Sequence, residues 1–117
     1  MQHISSEHFV RYKAIQLYDL YLAKRHCDVT LCVDGHKIRA HSCVLAAASI
    51  ELDVLLHNNE DNTELVLHDF TINAFNFLVP YIYKSTLNWE DLQRQPHIYK
   101  EVLNAAQCYG FQQVGNL

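Results

Sequence analysis

Apolar residues recur at helical spacing along the first part of the chain. Residues 6–25 contain neither glycine nor proline and are rich in good helix formers, which predicts an N-terminal helix. Its apolar side chains cover an arc of about 160°, wider than the roughly 100° stripe that one packing surface requires. Such a helix is either a well-packed core helix or one that contacts the core and a second subunit together, and we favour the second interpretation. The apolar positions include Phe9, Val10, Ala14, Leu17, Tyr18 and Tyr21.

The next stretch changes to the spacing of β-strands. Residues 27–33 are β-branched and apolar, Asp34-Gly35 is a strong turn signal, and residues 36–40 alternate between polar and apolar. This pattern predicts a β-hairpin over 27–40. A further strand is predicted over 64–68 because its residues also alternate.

Small and apolar residues then predict two short helices. Residues 42–50 suit a tightly packed helix with Ser42 as its N-cap, and Ser49 is placed to cap a second helix over 51–57.

The remaining elements are mainly helical. A helix capped by Thr71 is expected to run to about residue 83, with a local kink or tightening at Pro80. Residues 86–89 are predicted to be extended, and a last helix is predicted over 96–110, with proline at its start and glycine at its end. The element order predicts an α+β fold in which a small sheet is covered by helices. Residues 1–117 are expected to form one domain.

Composition and charge narrow the possible functions. With 117 residues, only 3 Gly and 2 Pro, and half of its residues hydrophobic, the chain is neither low-complexity nor collagen-like. A net charge of −4 argues against direct nucleic-acid binding by this domain, since phosphate contacts need clustered Lys and Arg. The longest apolar stretch without charge, 70–83, is shorter than the roughly 20 residues of a membrane span. Residues 1–11 show no signal-peptide core, so we expect an intracellular protein without membrane contact.

Cysteines and histidines are the candidate chemical groups. The four cysteines form no CxxC pair and sit in apolar contexts, which favours buried free thiols over disulfides. Cys27 and Cys32 differ by five positions and would point to opposite faces of one strand, which argues against a shared metal site. Cys43, expected to be buried, could pair with His41 or His36 as nucleophile and base. No stronger catalytic constellation is present, so we predict no enzymatic activity, no metal and no cofactor.

Residues 27–49, CDVTLCVDGHKIRAHSCVLAAAS, resemble the core signature of BTB/POZ domains. The similarity continues in residues 75–87 and 103–111 and covers about 9–111 in all, with 27–111 as the family core. The positions that match the signature are Cys27, Asp28, Val29, Val33, Ala40, His41, Val44, Leu45, Ala46, Ala47 and Ser49.

This resemblance implies a protein–protein interaction module that homodimerises through the helix before the hairpin and that can self-associate further into higher-order assemblies. Asp28, His41, Leu45 and Ser49 are then structural motif residues. The family stands at the N-terminus of zinc-finger transcription and architectural proteins, and Met1 agrees with that position. We therefore expect a nuclear DNA-binding, chromatin or transcription-regulating protein whose DNA contacts lie elsewhere and whose partners include corepressor or chromatin proteins. The implied dimer interface comprises Phe9, Val10, Ala14, Leu17, Tyr18 and Tyr21.

The sequence departs from the family pattern at the charged pocket. Asp28 matches the family's pocket aspartate, but its usual basic partner is replaced by Ser42. These two residues remain the candidates for a partner-binding groove, with capping of backbone donors as the other role for Asp28.

A different function in this family is that of a cullin-3 substrate adaptor. Adaptors often carry a hydrophobic-x-Glu motif after the Ser49-type helix, and residues 57–62 lack it. The adaptor role is therefore the alternative prediction, ahead of channel-type tetramerisation.

Overall fold

The computed structural model describes residues 6–59, 63–68 and 71–111. Within them the chain forms a helix, a hairpin, two short helices, a strand and three more helices. The elements are α1 (Ser6–Leu22), β1 (Val29–Val33), β2 (His36–Ala40), α2 (Ser42–Ala48), α3 (Ile50–His57), β3 (Glu64–Leu67), α4 (Ile72–Lys84), α5 (Trp89–Gln93) and α6 (Pro96–Tyr109).

The three strands form one mixed sheet with the order β2-β1-β3. β1 pairs antiparallel with β2, and β3 pairs parallel with β1, so that Leu31 lies beside Ile38 on one side and Leu65 on the other. Asp34 and Gly35 both have positive φ, 50° and 78°, as a tight hairpin turn requires at its two central residues. The predicted hairpin is confirmed.

One face of the sheet and the inward faces of the helices form the core. β1 is buried at alternate positions, and α4 and α6 contribute most of the buried helical residues. Leu31, Leu78 and Val102 are among the most deeply buried side chains. The predicted α+β fold, a small sheet flanked by helices, is confirmed.

Several helix ends follow the sequence signals. The Ser49 hydroxyl oxygen accepts a hydrogen bond from the Leu52 N–H at 3.1 Å, and Thr71 accepts from the Ala74 N–H at 3.4 Å. Gly110 ends α6 in the left-handed conformation with φ 73°. α4 continues through Pro80 to Lys84.

Two predicted helix ends are wrong. α1 ends at Leu22 rather than 25, because Lys24 and His26 adopt left-handed backbone conformations with φ 58° and 62°. Ser42 is not the N-cap of α2, since His41 holds that position without a side-chain cap bond. The Ser42 hydroxyl donates to Asp28 instead.

Two other expectations also fail. Residues 86–89 do not form a strand, and Trp89 begins α5, which Asn88 caps by accepting from the Asp91 N–H at 3.2 Å. Cys43 and Cys108 are exposed, while Cys27 and Cys32 are half-buried, so the thiols are not all core residues. No helix in the described ranges is both long and apolar enough to cross a membrane.

Candidate functional site

The C-terminal half of α1 is attached to the body of the domain by aromatic contacts. Leu17, Tyr18 and Tyr21 pack against the core, and the Tyr21 and Tyr83 ring centroids are 4.9 Å apart. The Lys84 ammonium lies 4.6 Å from the centroid of the Tyr18 ring. Burial raises the pKa of Tyr21 to about 12, with further increases from Tyr18 and Cys27, so this phenol stays protonated at neutral pH. This half of the helix therefore belongs to the core.

The N-terminal half of α1 exposes large apolar side chains to solvent. Phe9 is 60% exposed, Val10 63% and Tyr12 62%, whereas the exposed Ile15 and Leu22 lie further along the helix. No residue of α1 is fully buried. These exposed apolar side chains make the N-terminal half of α1 the candidate interaction surface of the domain.

Two grooves run along this helix. The first lies between α1, α2 and α4 and is lined by Leu17, Val44, Ala47, Ala48 and Ile82, among others. Small side chains on α2 would let a second helix approach closely. The second groove lies between α1 and the end of α4.

Of the predicted interface residues, Phe9 and Val10 are thus exposed, and Val10 and Ala14 line the second groove. The other three, Leu17, Tyr18 and Tyr21, pack partly against the core of their own chain. The structure brings the six predicted residues onto one helix but divides them between these two environments.

A buried hydrogen-bond network holds the segment that follows α1. His41 is 5% exposed, and its Nε2–H donates to the Arg25 carbonyl at 2.8 Å, because a carbonyl can only accept. Nδ1 then accepts from the Tyr83 hydroxyl at 2.7 Å, and that hydroxyl oxygen accepts from the His41 backbone N–H at 3.1 Å. Burial raises the pKa of Tyr83, which keeps its hydroxyl proton available for this bond.

Asp28 joins the start of the hairpin to the start of α2. Its Oδ1 accepts from the Ser42 backbone N–H at 2.7 Å, and its Oδ2 accepts from the Ser42 hydroxyl at 2.5 Å. Desolvation alone would raise the pKa of Asp28, but hydrogen bonds, chiefly the two from Ser42, together with smaller contributions hold this pKa below its ordinary value. Both residues line a cleft with Asp53 and His57 of α3, and among the described residues no Lys or Arg lines that cleft.

The remaining motif residues, Leu45 and Ser49, are buried in the domain. Leu45 is 2% exposed within the core, and the buried Ser49 hydroxyl donates to the Tyr109 carbonyl while capping α3. Ser49 therefore joins α2, α3 and the end of α6.

The candidate nucleophile does not find its predicted base. The thiol beside His41 is Cys27, whose Sγ lies 3.9 Å from Nε2, whereas exposed Cys43 lines the grooves on either side of α2. Desolvation raises the pKa of Cys27, which disfavours the reactive thiolate. Across residues 6–59, 63–68 and 71–111, no three His, Cys, Asp or Glu side chains converge as a metal site would require.

One exposed apolar surface was missed by the sequence reasoning. Ile50 is 78% exposed, Val54 51% and Leu55 39%, all on α3. The spacing of Ile50 and Val54, four residues apart, was a signal that these two share a helix face.

Comparison with known proteins agrees with this geometry. Residues 17–117 match the BTB/POZ domain family. The human "BTB/POZ domain-containing protein 9" is 29% identical over 113 residues, which cover 93% of this chain and 17% of that protein. The human "Zinc finger and BTB domain-containing protein 21" is 43% identical over 63 residues, or 52% of this chain and 6% of that protein. The chain thus spans less than a fifth of the length of these curated relatives.

Solved structures share the fold. The BTB domain of zebrafish PATZ1 superimposes with a TM-score of 0.81 at 20% identity, covering 99% of this chain and 92% of that one. The BTB domain of human gigaxonin gives 0.76 at 21% identity, covering 97% and 91%. With the family match over most of its length and this shared architecture, the chain belongs to the BTB/POZ domain family, whose members are protein–protein interaction modules.

Proposed function

We propose that this domain mediates the homodimerisation of a nuclear DNA-binding, chromatin or transcription-regulating protein. The observation that carries the proposal is the exposed N-terminal half of α1, where Phe9, Val10 and Tyr12 are each about 60% exposed. In a C2 dimer the interface is isologous, so the same side chains would be covered in both copies. Covering an apolar side chain contributes up to about 1.5–3 kcal/mol, and this gain opposes the loss of translational and rotational freedom on association.

The groove between α1 and α2 is the surface that would receive the partner helix. It is lined by the apolar residues Leu17, Val44 and Ile82, and Ala47 and Ala48 leave room for a second backbone. Phe9 and Val10 of the partner copy are suited in size and polarity to this groove.

The nuclear and transcriptional part of the proposal rests on the similarity to a zinc-finger BTB protein and on charge. A net charge of −4 suits a domain that binds proteins and leaves DNA to another region. Corepressor or chromatin proteins are then the expected further partners. Because Ser42 replaces the family's basic residue and itself binds Asp28, those partners would meet an acidic cleft rather than a mixed-charge one.

Sedimentation equilibrium in about 1 M NaCl tests the dimer, because salt at that concentration screens charges beyond about 3 Å and leaves apolar contacts intact. We expect a mass of twice 13.6 kDa at micromolar concentration. Val10→Asp should produce a folded monomer. Val66→Asp is the matched control, since Val66 is also a half-exposed valine but lies on β3. A wild-type monomer, or equal effects of the two substitutions, would refute α1-mediated dimerisation.

A second candidate function, the cullin-3 adaptor, is favoured by the exposed apolar residues of α3. Isothermal titration with the N-terminal domain of cullin-3 separates the two functions. Micromolar or tighter binding that is lost in Val54→Asp and retained in Val10→Asp would support the adaptor role. The absence of heat change with a dimeric sample would exclude it.

A further inference from the structure

Charge is unevenly distributed along this chain. No Lys or Arg lies between Arg39 and Lys84. The same stretch contains six carboxylates, namely Glu51, Asp53, Glu60, Asp61, Glu64 and Asp69. The segment that includes α2 and α3 is therefore the acidic part of the molecule.

The outward side of α3 combines this acidity with exposed apolar residues. Leu52 turns into the core and is 2% exposed, whereas Ile50 and Val54, one helical turn apart, are among the exposed apolar side chains of the domain. At 100° per residue, Glu51 and Asp53 fall on either side of that pair, and both are exposed. We call Ile50, Glu51, Asp53 and Val54 the α3 face.

A second surface has the same construction with the opposite charge. Leu22, at the end of α1, is 58% exposed and is followed by the exposed Lys24 and Arg25. Arg39 reaches the same turn, because its Nη2 donates to the Cys27 carbonyl at 2.8 Å. We call Leu22, Lys24, Arg25 and Arg39 the α1 exit patch.

We propose that the α3 face of one copy binds the α1 exit patch of another, head to tail. Each surface presents exposed apolar side chains beside charges that the other complements, and such complementarity directs and orients association. Every residue that defines the α3 face and the α1 exit patch is exposed, so each patch is open to another copy. This contact joins two different surfaces and is therefore heterologous. A heterologous contact that does not close into a ring produces growing chains.

This contact goes beyond the proposed α1 dimer and can form together with it. Val10 and Leu22 are twelve residues apart, which corresponds to about 18 Å along a helix. The N-terminal half of α1 and the α1 exit patch thus share no residue. Both interfaces together would link dimers into higher-order assemblies.

Sedimentation velocity over a range of protein concentrations at low salt tests the proposal. We expect the average mass to rise above the dimer with concentration and to return to the dimer in about 1 M NaCl. The double variants Glu51→Lys/Asp53→Lys and Lys24→Glu/Arg25→Glu should each stop at the dimer, with the contact weakened about a hundredfold or more by like charges. Combining all four substitutions restores opposite charges and should restore growth. Glu90→Lys/Asp91→Lys, two exposed carboxylates on α5, is the matched control and should assemble as wild type.

Several results would overturn the proposal. One is a mass that stays at the dimer at low salt, and another is growth of either double variant as in the wild type. Failure of the folded fourfold variant to grow would also contradict it, with folding checked by circular dichroism. Should that variant not fold, Ile50→Lys gives the decision, since it removes an apolar contact and places a positive charge opposite the basic patch, and must therefore also stop growth. Binding of cullin-3 by the α3 face with no self-association would assign the face to a different partner. In Val10→Asp the contact should still form, starting from monomers, so its failure is distinguishable from failure of the α1 dimer.

Discussion

Both halves of α1 contain tyrosine and other apolar side chains, but the two halves differ in what these side chains contact. Tyr12 in the first half and Tyr18 and Tyr21 in the second are tyrosines of the same helix. Tyr12 is 62% exposed, whereas Tyr18 and Tyr21 lie against Tyr83 of α4. The difference arises because α4 ends at Lys84 and supplies aromatic surface only to the second half. Apolar composition therefore shows that a helix needs partners, but not which of its turns the domain itself covers.

This division separates two roles within one element. The second half holds α1 to the domain through Tyr83 and the His41 network, and its substitution should change the free energy of unfolding. The first half contributes little to that free energy in a monomer and is available for association. Substitutions of one residue type in the two halves can distinguish these roles.

The largest expected effect is that of Tyr83→Ala. Removing a buried aromatic side chain costs about 3–5 kcal/mol of unfolding free energy, and Tyr83 also anchors both tyrosines of the second half. Tyr12→Ala should cost less than about 0.5 kcal/mol, as surface substitutions do. Urea unfolding, carried out in the Val10→Asp background so that association does not contribute, measures both. Equal losses would show that the first half is as much a part of the core as the second.

Tyr83→Phe isolates the hydroxyl group. The ring remains in place, but the His41 Nδ1 loses its donor and the His41 N–H loses its acceptor. Leaving buried polar groups without partners costs about 1–3 kcal/mol each, and we expect a total within that range because some relaxation occurs. Tyr12→Phe is the matched control and should leave the urea midpoint unchanged. A neutral Tyr83→Phe would mean that the network does not hold the α1 exit.

Asp28→Asn examines the connection just beyond that exit. Hydrogen bonds from Ser42 lower the pKa of Asp28 in the folded state, so the carboxylate stabilises the fold at pH values above its unfolded pKa of 3.8. That stability is lost as the pH falls through the lower, folded-state pKa. Because the group is largely solvent-exposed, we expect only about 1 kcal/mol at pH 7.

Thermal unfolding of wild type and Asp28→Asn at several pH values measures this effect. The difference in Tm should be present at pH 7 and shrink below about pH 4. A difference that is constant across this range would show that the carboxylate charge is not involved. Asp19→Asn, at an exposed position of α1, is the control and should leave Tm at pH 7 unchanged.

Local signals made much of this fold predictable. Asp34-Gly35 marked the hairpin turn, Ser49 and Thr71 marked helix starts, and Gly110 marked the end of α6, because each acts on backbone groups within a few residues. The elements that were missed depend on distant partners or carry weak local signals. Ser42 is bound by Asp28, fourteen residues earlier, and so does not cap its own helix.

The candidate site was predictable only in part for the same reason. The excess apolar surface of α1 could be read from its periodicity, but its division depends on where Tyr83 lies. α1 also ends earlier than predicted, before Lys24 and His26. These two non-glycine residues have positive φ, and no local sequence pattern indicates that conformation. The exposed pair Ile50 and Val54 was missed because an eight-residue helix rich in leucine gives little sign of which side faces the core.

The smallest expected effect concerns the Lys84 ammonium above the Tyr18 ring, the last contact between α4 and the second half of α1. A partly exposed cation–π pair of this kind contributes about 0.5–1 kcal/mol. Lys84→Met retains most of the side-chain volume and removes the charge, while Tyr18→Leu removes the aromatic face. A double-mutant cycle of these substitutions in urea unfolding should give a coupling energy of that size. Each single substitution already removes the Lys84–Tyr18 interaction, so the double variant loses less stability than the sum of the two single variants. Repeating the cycle with Lys13→Met, on the same helix as Tyr18, should give no coupling. If the two cycles agree, Lys84 does not bind the Tyr18 ring, and the second half of α1 is held by the Tyr83 contacts and the His41 network alone.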